Sequence, residues 1–223
     1  MKAISLWSGG KDSCLAYYAA KCQGHTITDL LNFTAASGTT SSSHGLSAEI
    51  IRRQARMTGM PFFQKAMPKI SYREEFKALI GLWQKTKAIE GIIFGDISLQ
   101  EHKDWIDKVC RELGVEPIMP LWAQEIAPLI DRFIKSGFKA VVVSVKADIL
   151  GEDWLGREVD NKFVEDLKNM GNIDLCGERG EYHTFVYDGP IFRNPLRFKP
   201  GKKTLLDKRR FLELLPDESQ GYE

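Results

Sequence analysis

Two stretches of this chain combine residue types that can do chemistry. The first is Ser8-Gly9-Gly10-Lys11-Asp12-Ser13, close to the N-terminus. Two adjacent glycines let a backbone turn tightly and approach a ligand without side-chain interference. Successive N–H groups in such a turn form a concavity for an anion, and the positive end of a following helix reinforces it. Asp12 and Ser13 also suit the start of that helix. The pattern predicts phosphate binding through Ser8, Gly9, Gly10, Lys11, Asp12 and Ser13. It is not the Walker A loop, which needs G-x-x-x-x-G-K-[ST] and has no match here. The plainer alternative is a glycine-rich turn before an ordinary helix cap.

The second stretch is Cys176-Gly177-Glu178-Arg179-Gly180-Glu181-Tyr182-His183-Thr184-Phe185, followed by Asp188-Gly189-Pro190. Two glycines separate two glutamates, and a histidine follows. A carboxylate–histidine set on a bent backbone suits proton transfer or the capture of an ammonium ion. By composition alone, a polar turn leading into an edge strand explains the same residues more simply.

The elements that must position these stretches follow from the hydrophobic pattern. Short apolar runs alternating with amphipathic stretches predict a parallel sheet covered by helices. Residues 3–7, 29–33, 61–66, 91–95 and 117–122 read as five strands. The phosphate loop directly follows the first strand and opens the first helix. In an open parallel sheet, ligands bind beyond the C-terminal strand ends. Gly95 and Asp96 fall at that edge, where a glycine admits close approach and a carboxylate could hold magnesium or ribose. The polar loop 35–45, ending near His44, is either a lid or a long solvated connection. Ser71 with Glu74 and Ser98 with Glu101 predict capping boxes for two helices, and Gly114 predicts a C-terminal cap. Beyond Trp122 come a helix through Ile126, Leu129, Ile130, Phe133 and Ile134, a strand over 140–145, and irregular glycine-rich segments around 151–157 and 176–190. We expect one unit over 1–122, carrying the phosphate loop, and a smaller second unit over 123–223.

The SGGxDS form of the first loop resembles that of the PP-loop (N-type) ATP pyrophosphatases. The Gly-Glu-x-Gly-Glu-Tyr-His-Thr-Phe run, with Asp-Gly-Pro after it, resembles the signature of the diphthine–ammonia ligase family. Trp154-Leu155-Gly156-Arg157 and Pro120-Leu121-Trp122 are similar to further patterns of that family. The resemblance implies a Rossmann-like α/β fold: five parallel strands with helices on both faces, of the adenine nucleotide alpha hydrolase-like (HUP) type, plus a smaller C-terminal α+β domain. It implies ATP and Mg²⁺, with Asp12 at the metal. It also implies diphthine on elongation factor 2 as substrate and ammonium as nitrogen donor. The carboxylate would be adenylated with loss of pyrophosphate, and ammonia would then displace AMP. Glu178, Glu181 and His183 would be catalytic, and Trp154, Arg157, Gly177, Gly180, Tyr182 and Thr184 would meet the substrate. In one place the chain departs from the family, reading Glu101-His102-Lys103 where many members carry a tyrosine and arginines.

Composition sets the limits. The 223 residues carry 31 basic and 30 acidic side chains, a net charge of +1. That balance argues against a nucleic-acid partner, although a local basic patch can hide inside a balanced total. The four cysteines form no C-x-x-C pair and no zinc-finger spacing, so reduced thiols and a cytoplasmic location are expected. No apolar run approaches the ~20 residues of a membrane helix. A tRNA thiolase and a glutamine amidotransferase fit poorly, lacking respectively a cysteine pair and a glutaminase domain. A nucleotide sensor that never turns ATP over is the rival from another class. Oligomeric state, a homo-oligomer included, is left open.

Overall fold

The computed structural model describes residues 1–41, 45–68 and 70–220. Its first half holds five strands: β1 (Lys2–Leu6), β2 (Thr26–Thr34), β3 (Phe62–Ala66), β4 (Gly91–Ile93) and β5 (Glu116–Ile118). They pair in parallel, in the order β3-β2-β1-β4-β5. The chain winds outward from β1 to β3, then crosses back to place β4 on the other side of β1. That reversal opens a crevice at the C-terminal ends of β1 and β4.

Alternate strand residues face opposite sides, and each side is covered. Ile4, Leu31 and Ile92 pack on Phe76, Leu79, Ile80 and Trp83 of α3 (Tyr72–Lys87) and on Ile106, Val109 and Cys110 of α4 (Gln100–Leu113). Ala3, Leu30 and Ile93 face α1 (Lys11–Cys22) and α2 (Ala48–Met57). Helix α1 is buried nearly all round, as a helix with protein on both sides must be.

What lies on its far side is a second sheet. Strands β6 (Lys139–Lys146), β7 (Tyr182–Asp188), β8 (Phe198–Leu206) and β9 (Arg209–Pro216) form an antiparallel sheet in the order β7-β6-β9-β8. Helices α5 (Ile126–Lys135) and α6 (Asn161–Met170) pack with it. One apolar core runs without a break from Ala3 and Trp7 through Leu15 and Tyr17 to Phe133, Val142, Phe185 and Leu212. Tyr18 of α1 meets Phe138 edge-on, with ring centres 5.7 Å apart.

Several details depart from expectation. Strands β4 and β5 are three residues long. The chain leaves the sheet after Ile93 because Gly95 passes against α1, and residues 119–124 close a turn with Trp122 N–H on Met119 O and Gln124 N–H on Leu121 O. Neither capping box forms. The Ser71 side chain makes no cap bond, and Leu99, not Ser98, is the N-cap of α4. Gly114 does cap α4 in the left-handed conformation. Part of the expected irregular stretch 176–190 is the well-paired strand β7. Of the polar loop 35–45, Thr34 and Ser41 pair as a bridge and Ser41 is buried, while His44 lies outside the described residues.

Candidate active site

The turn from β1 into α1 carries the phosphate loop to the crevice. Gly9 takes φ +81°, and a Cβ there would lie 2.7 Å from both Gln54 Oε1 and Ile51 Cδ1. No larger residue fits either the dihedral or the space. The Gly9 carbonyl accepts from Val186 N–H (3.0 Å) and Gln54 Nε2 (2.8 Å), so strand β7 and helix α2 both hold the loop. Gln54 is fully buried; it also accepts from Trp7 Nε1 (2.8 Å) and donates to Val186 O. Asn32 completes the support, its Nδ2 donating to Trp7 O at 2.7 Å.

Within the loop, Gly10 N–H donates to Ser8 Oγ, and Ser13 Oγ donates to Gly10 O. Lys11 N–H donates to Thr184 Oγ1 at 3.0 Å. The Asp12 and Ser13 N–H groups stand in the first turn of α1, where no intrahelical acceptor exists. Gly95, after β4, comes up behind this turn. A Cβ on it would sit 3.0 Å from Asp12 C and Ser13 N. The close approach expected of Gly95 is therefore to the backbone of α1.

The second motif meets the first directly. The Lys11 ammonium is buried, 2.9 Å from Asp12 Oδ2, and donates to the Cys176 carbonyl. It lies 5.2 Å from the centre of the Tyr182 ring, whose hydroxyl donates to Leu175 O. Burial, the largest influence, works against the charge on Lys11, but Asp12, Tyr182 and Cys176 together outweigh it and hold the pKa above the ordinary lysine value. Burial raises the Asp12 pKa; Lys11 offsets this in part, while Asp174 and Asp96 add to it. Several carboxylates thus share one buried lysine. Glu178 accepts from Ser98 N–H (3.1 Å) and Ser98 Oγ (3.4 Å), closing the crevice from the β4 side. Its pKa is also raised, by burial first, with the Ser98 N–H working against the rise. Burial pushes the Cys176 thiol up to about 12.

The resulting cleft has a volume of about 330 Å³, within the range of small-molecule sites. Ser8, Lys11, Asp12, Ser13, Gly95, Asp96, Gly177, Glu178, Tyr182, His183 and Thr184 all line it. Gly9 and Gly10 support it from behind. Four predicted residues lie elsewhere. Glu181 is 4% exposed and accepts from Asp174 N–H through Oε1, while its Oε2 has no hydrogen-bond partner among the described residues. Trp154 is buried beneath the Arg157 guanidinium, 4.3 Å from its ring centre, and Arg157 pairs with Asp166 of α6 at 2.5 Å. Gly180 O accepts from Arg209.

The sequence reading missed Gln54, Asp174 and Tyr72, and met His102 only within the Glu101-His102-Lys103 segment that departs from the family. Asp174 Oδ1 accepts from Cys176 N–H at 2.7 Å, shaping the turn whose carbonyl receives Lys11. His102 Nδ1 lies 2.9 Å from Asp96 Oδ1, and both line the cleft with Tyr72. Gln54 had one visible signal, a polar residue on the apolar stripe of Ile50, Ile51 and Ala55.

The donor set suits a magnesium–nucleotide complex. Among the described residues, no three Asp, Glu, His or Cys side chains converge as a metal site. Mg²⁺ rarely needs that many, taking one or two carboxylates together with substrate phosphates and water. Asp12, Asp96 and Glu178 line the cleft, and the N–H groups of a helix's first turn suit an anion.

Comparison with known proteins identifies the family. The family model described as the diphthamide synthase N-terminal domain matches residues 1–117, and that of the diphthamide synthase C-terminal domain matches 126–215. The chain belongs to the diphthamide synthase family. It is 26% identical to a diphthine–ammonia ligase of Danio rerio over 88% of this chain and 86% of that protein. The diphthine–ammonia ligase of Homo sapiens is 26% identical over 88% of this chain and 82% of its own length, and that of Mus musculus 27% over the same shares. The structure titled predicted subunit of tRNA methyltransferase from Methanocaldococcus jannaschii is 16% identical, covering 83% of this chain and 96% of that one, with a TM-score of 0.43. No helix among the described residues is long and apolar enough to cross a membrane.

Proposed function

We propose that this member of the diphthamide synthase family is an ATP-dependent ligase that adenylates the carboxylate of diphthine on elongation factor 2 and transfers ammonia to it. The observation that carries the reading is the meeting of the phosphate loop and the Gly-Glu-x-Gly-Glu motif across one cleft, through Lys11 and Cys176 O. The first motif suits binding of a triphosphate, and the second supplies acid–base groups beside it.

The first-turn N–H groups of Asp12 and Ser13, with Lys11 behind them, would bind the β- and γ-phosphates and leave the α-phosphate facing Glu178 and His183. The diphthine carboxylate attacks that phosphorus and pyrophosphate leaves, its growing charge met by fixed backbone donors. Asp12, together with the phosphates, would hold Mg²⁺, which would supply further neutralisation of that charge. Ammonia then adds to the acyl carbon, the bond to AMP breaks, and the proton lost by ammonium passes to a basic group on the cleft wall. Glu178 and His183 stand there. Glu181, buried behind the 174–178 turn, holds the turn. Residues 1–122 serve nucleotide binding and 123–223 the substrate. The four free thiols support a reducing cytoplasm.

One observation favours the same chemistry on another carboxylate. His102, part of the segment where the chain departs from the family's pattern, lines the cleft. The test is to incubate the protein with Mg-ATP, ammonium and diphthine-form elongation factor 2 and identify the nucleotide product. AMP formed only with the factor supports the ligase on this substrate. AMP formed without it keeps the chemistry and assigns another carboxylate. ADP or untouched ATP would remove the ligase reading.

A further inference from the structure

The chain's near-neutral charge conceals an asymmetry. Seven of its 31 basic residues, but only one of its 30 acidic ones, lie between residues 197 and 210. The rest of the chain is therefore net acidic. These residues form β8, the turn at Asp207 and Lys208, and the start of β9.

Strand β8 is the outer strand of its sheet. A strand packed on a core buries alternate residues, yet every residue from 202 to 208 is exposed. Leu205 and Leu206 point to opposite faces, and each is 63% exposed. Strand β8 thus meets solvent on both faces over residues 202–206. Edge strands are commonly guarded by lysine, proline and irregular register, and Lys199, Pro200, Lys202 and the register shift between Pro200 and Lys203 fit that role. A guarded edge does not call for two adjacent exposed leucines.

The turn end of the hairpin grips the active-site turn. Arg209 donates to Gly180 O and Ser144 Oγ, Lys146 donates to Arg179 O, and Ala147 N–H donates to Lys208 O. Residues 179 and 180 directly follow Glu178 of the cleft. A macromolecule presenting one side chain to the cleft past Glu178 would lie along this hairpin.

We propose that the β8–β9 hairpin docks an acidic, leucine-compatible extended segment of the protein substrate, adjoining the side chain that enters the cleft. The inference rests on the ligase reading above and names the surface its protein substrate meets. The unpaired edge offers backbone groups to an added strand, Leu205 and Leu206 offer apolar contact, and Lys199, Lys202 and Lys208 select acidic side chains. A protein segment fits better than RNA. Single-stranded RNA favours exposed aromatic platforms, whereas Phe198 is turned inward onto Phe185 and Tyr187.

The experiment compares the whole wild-type chain with K199E/K202E and with L205S/L206S. Diphthine-form elongation factor 2 is the protein substrate, and AMP release is measured at two salt concentrations. Thermal melting and the KM for ATP check folding and the nucleotide site. The expected result is a KM for the factor raised tenfold or more in both variants. The kcat and the KM for ATP stay within twofold of wild type, and the salt dependence is weaker in K199E/K202E. An unchanged KM for the factor in both variants overturns the inference and leaves the ligase reading standing. Loss of binding to bulk RNA, with the KM for the factor unchanged, overturns it in favour of an RNA surface. No AMP from the wild-type chain with the factor is the separate failure of the ligase reading, and the docking inference falls with it.

Discussion

Gln54 shows how much one buried side chain can decide. Its amide satisfies Trp7 Nε1–H, Gly9 O and Val186 O together, so helix α2, the phosphate loop and strand β7 are joined in one place. Gln54→Leu keeps the volume and strands at least two of those groups. The expected cost is about 2–4 kcal/mol of stability, read by urea unfolding, with weaker ATP binding in the protein that still folds. A loss under about 0.5 kcal/mol would mean that the amide is not the joint described here. Glu178 and Glu181 divide differently. Glu178→Gln should lower turnover about 10²–10⁴-fold, the usual worth of an acid–base group. Glu181→Gln keeps an oxygen to accept the Asp174 N–H and should lose less than about tenfold. Equal losses would refute this division. At this scale the phosphate loop was legible, because its residues are consecutive and their chemistry is local. Gln54 and Ser98 were not, because their partners lie 132 and 80 residues away.

Elements were read well where hydrophobic period and length agreed, as in α3, α4 and α5, and poorly where packing overrode local signals. Ser98 has the sequence of a helix cap, but its N–H and hydroxyl serve Glu178. The stretch holding β7 was read as irregular and glycine-rich, with a polar turn leading into an edge strand as its simplest form; β7 is an edge strand, and its Val186 and Thr184 anchor the phosphate loop. The junction of β4 with α1 depends on Gly95. In Gly95→Ala the new methyl meets backbone, at Asp12 C and Ser13 N, which has little room to yield. We expect about 1–3 kcal/mol of destabilisation from overpacking and a displaced first turn of α1. Isothermal titration with Mg-ATP should show weaker binding than the loss of stability alone explains. Binding at wild-type affinity would show that the first turn does not set the nucleotide site.

For the molecule as a whole, the five-stranded parallel sheet was legible from the alternation of apolar runs and amphipathic stretches, and the C-terminal α+β part was implied by the family resemblance. The joint between the halves was not, since no local pattern records which surfaces meet. Helix α1 is covered on both sides, and the apolar core continues from the parallel sheet into the antiparallel one. A fragment of residues 1–122 would therefore expose the far side of α1 and lose the strand that holds Gly9. Circular dichroism and a denaturant titration on that fragment should show secondary structure without a cooperative transition. A sharp two-state unfolding curve would argue for an independent N-terminal unit. The hydrogen bond from Val186 to Gly9 spans most of the polypeptide, and it has a consequence in time. As the chain emerges from the ribosome its first functional loop is made early and stays unset until β7 arrives. Nascent chains halted before β7 should fail to retain nucleotide, so competence to bind ATP reports that β7 has been made and has docked.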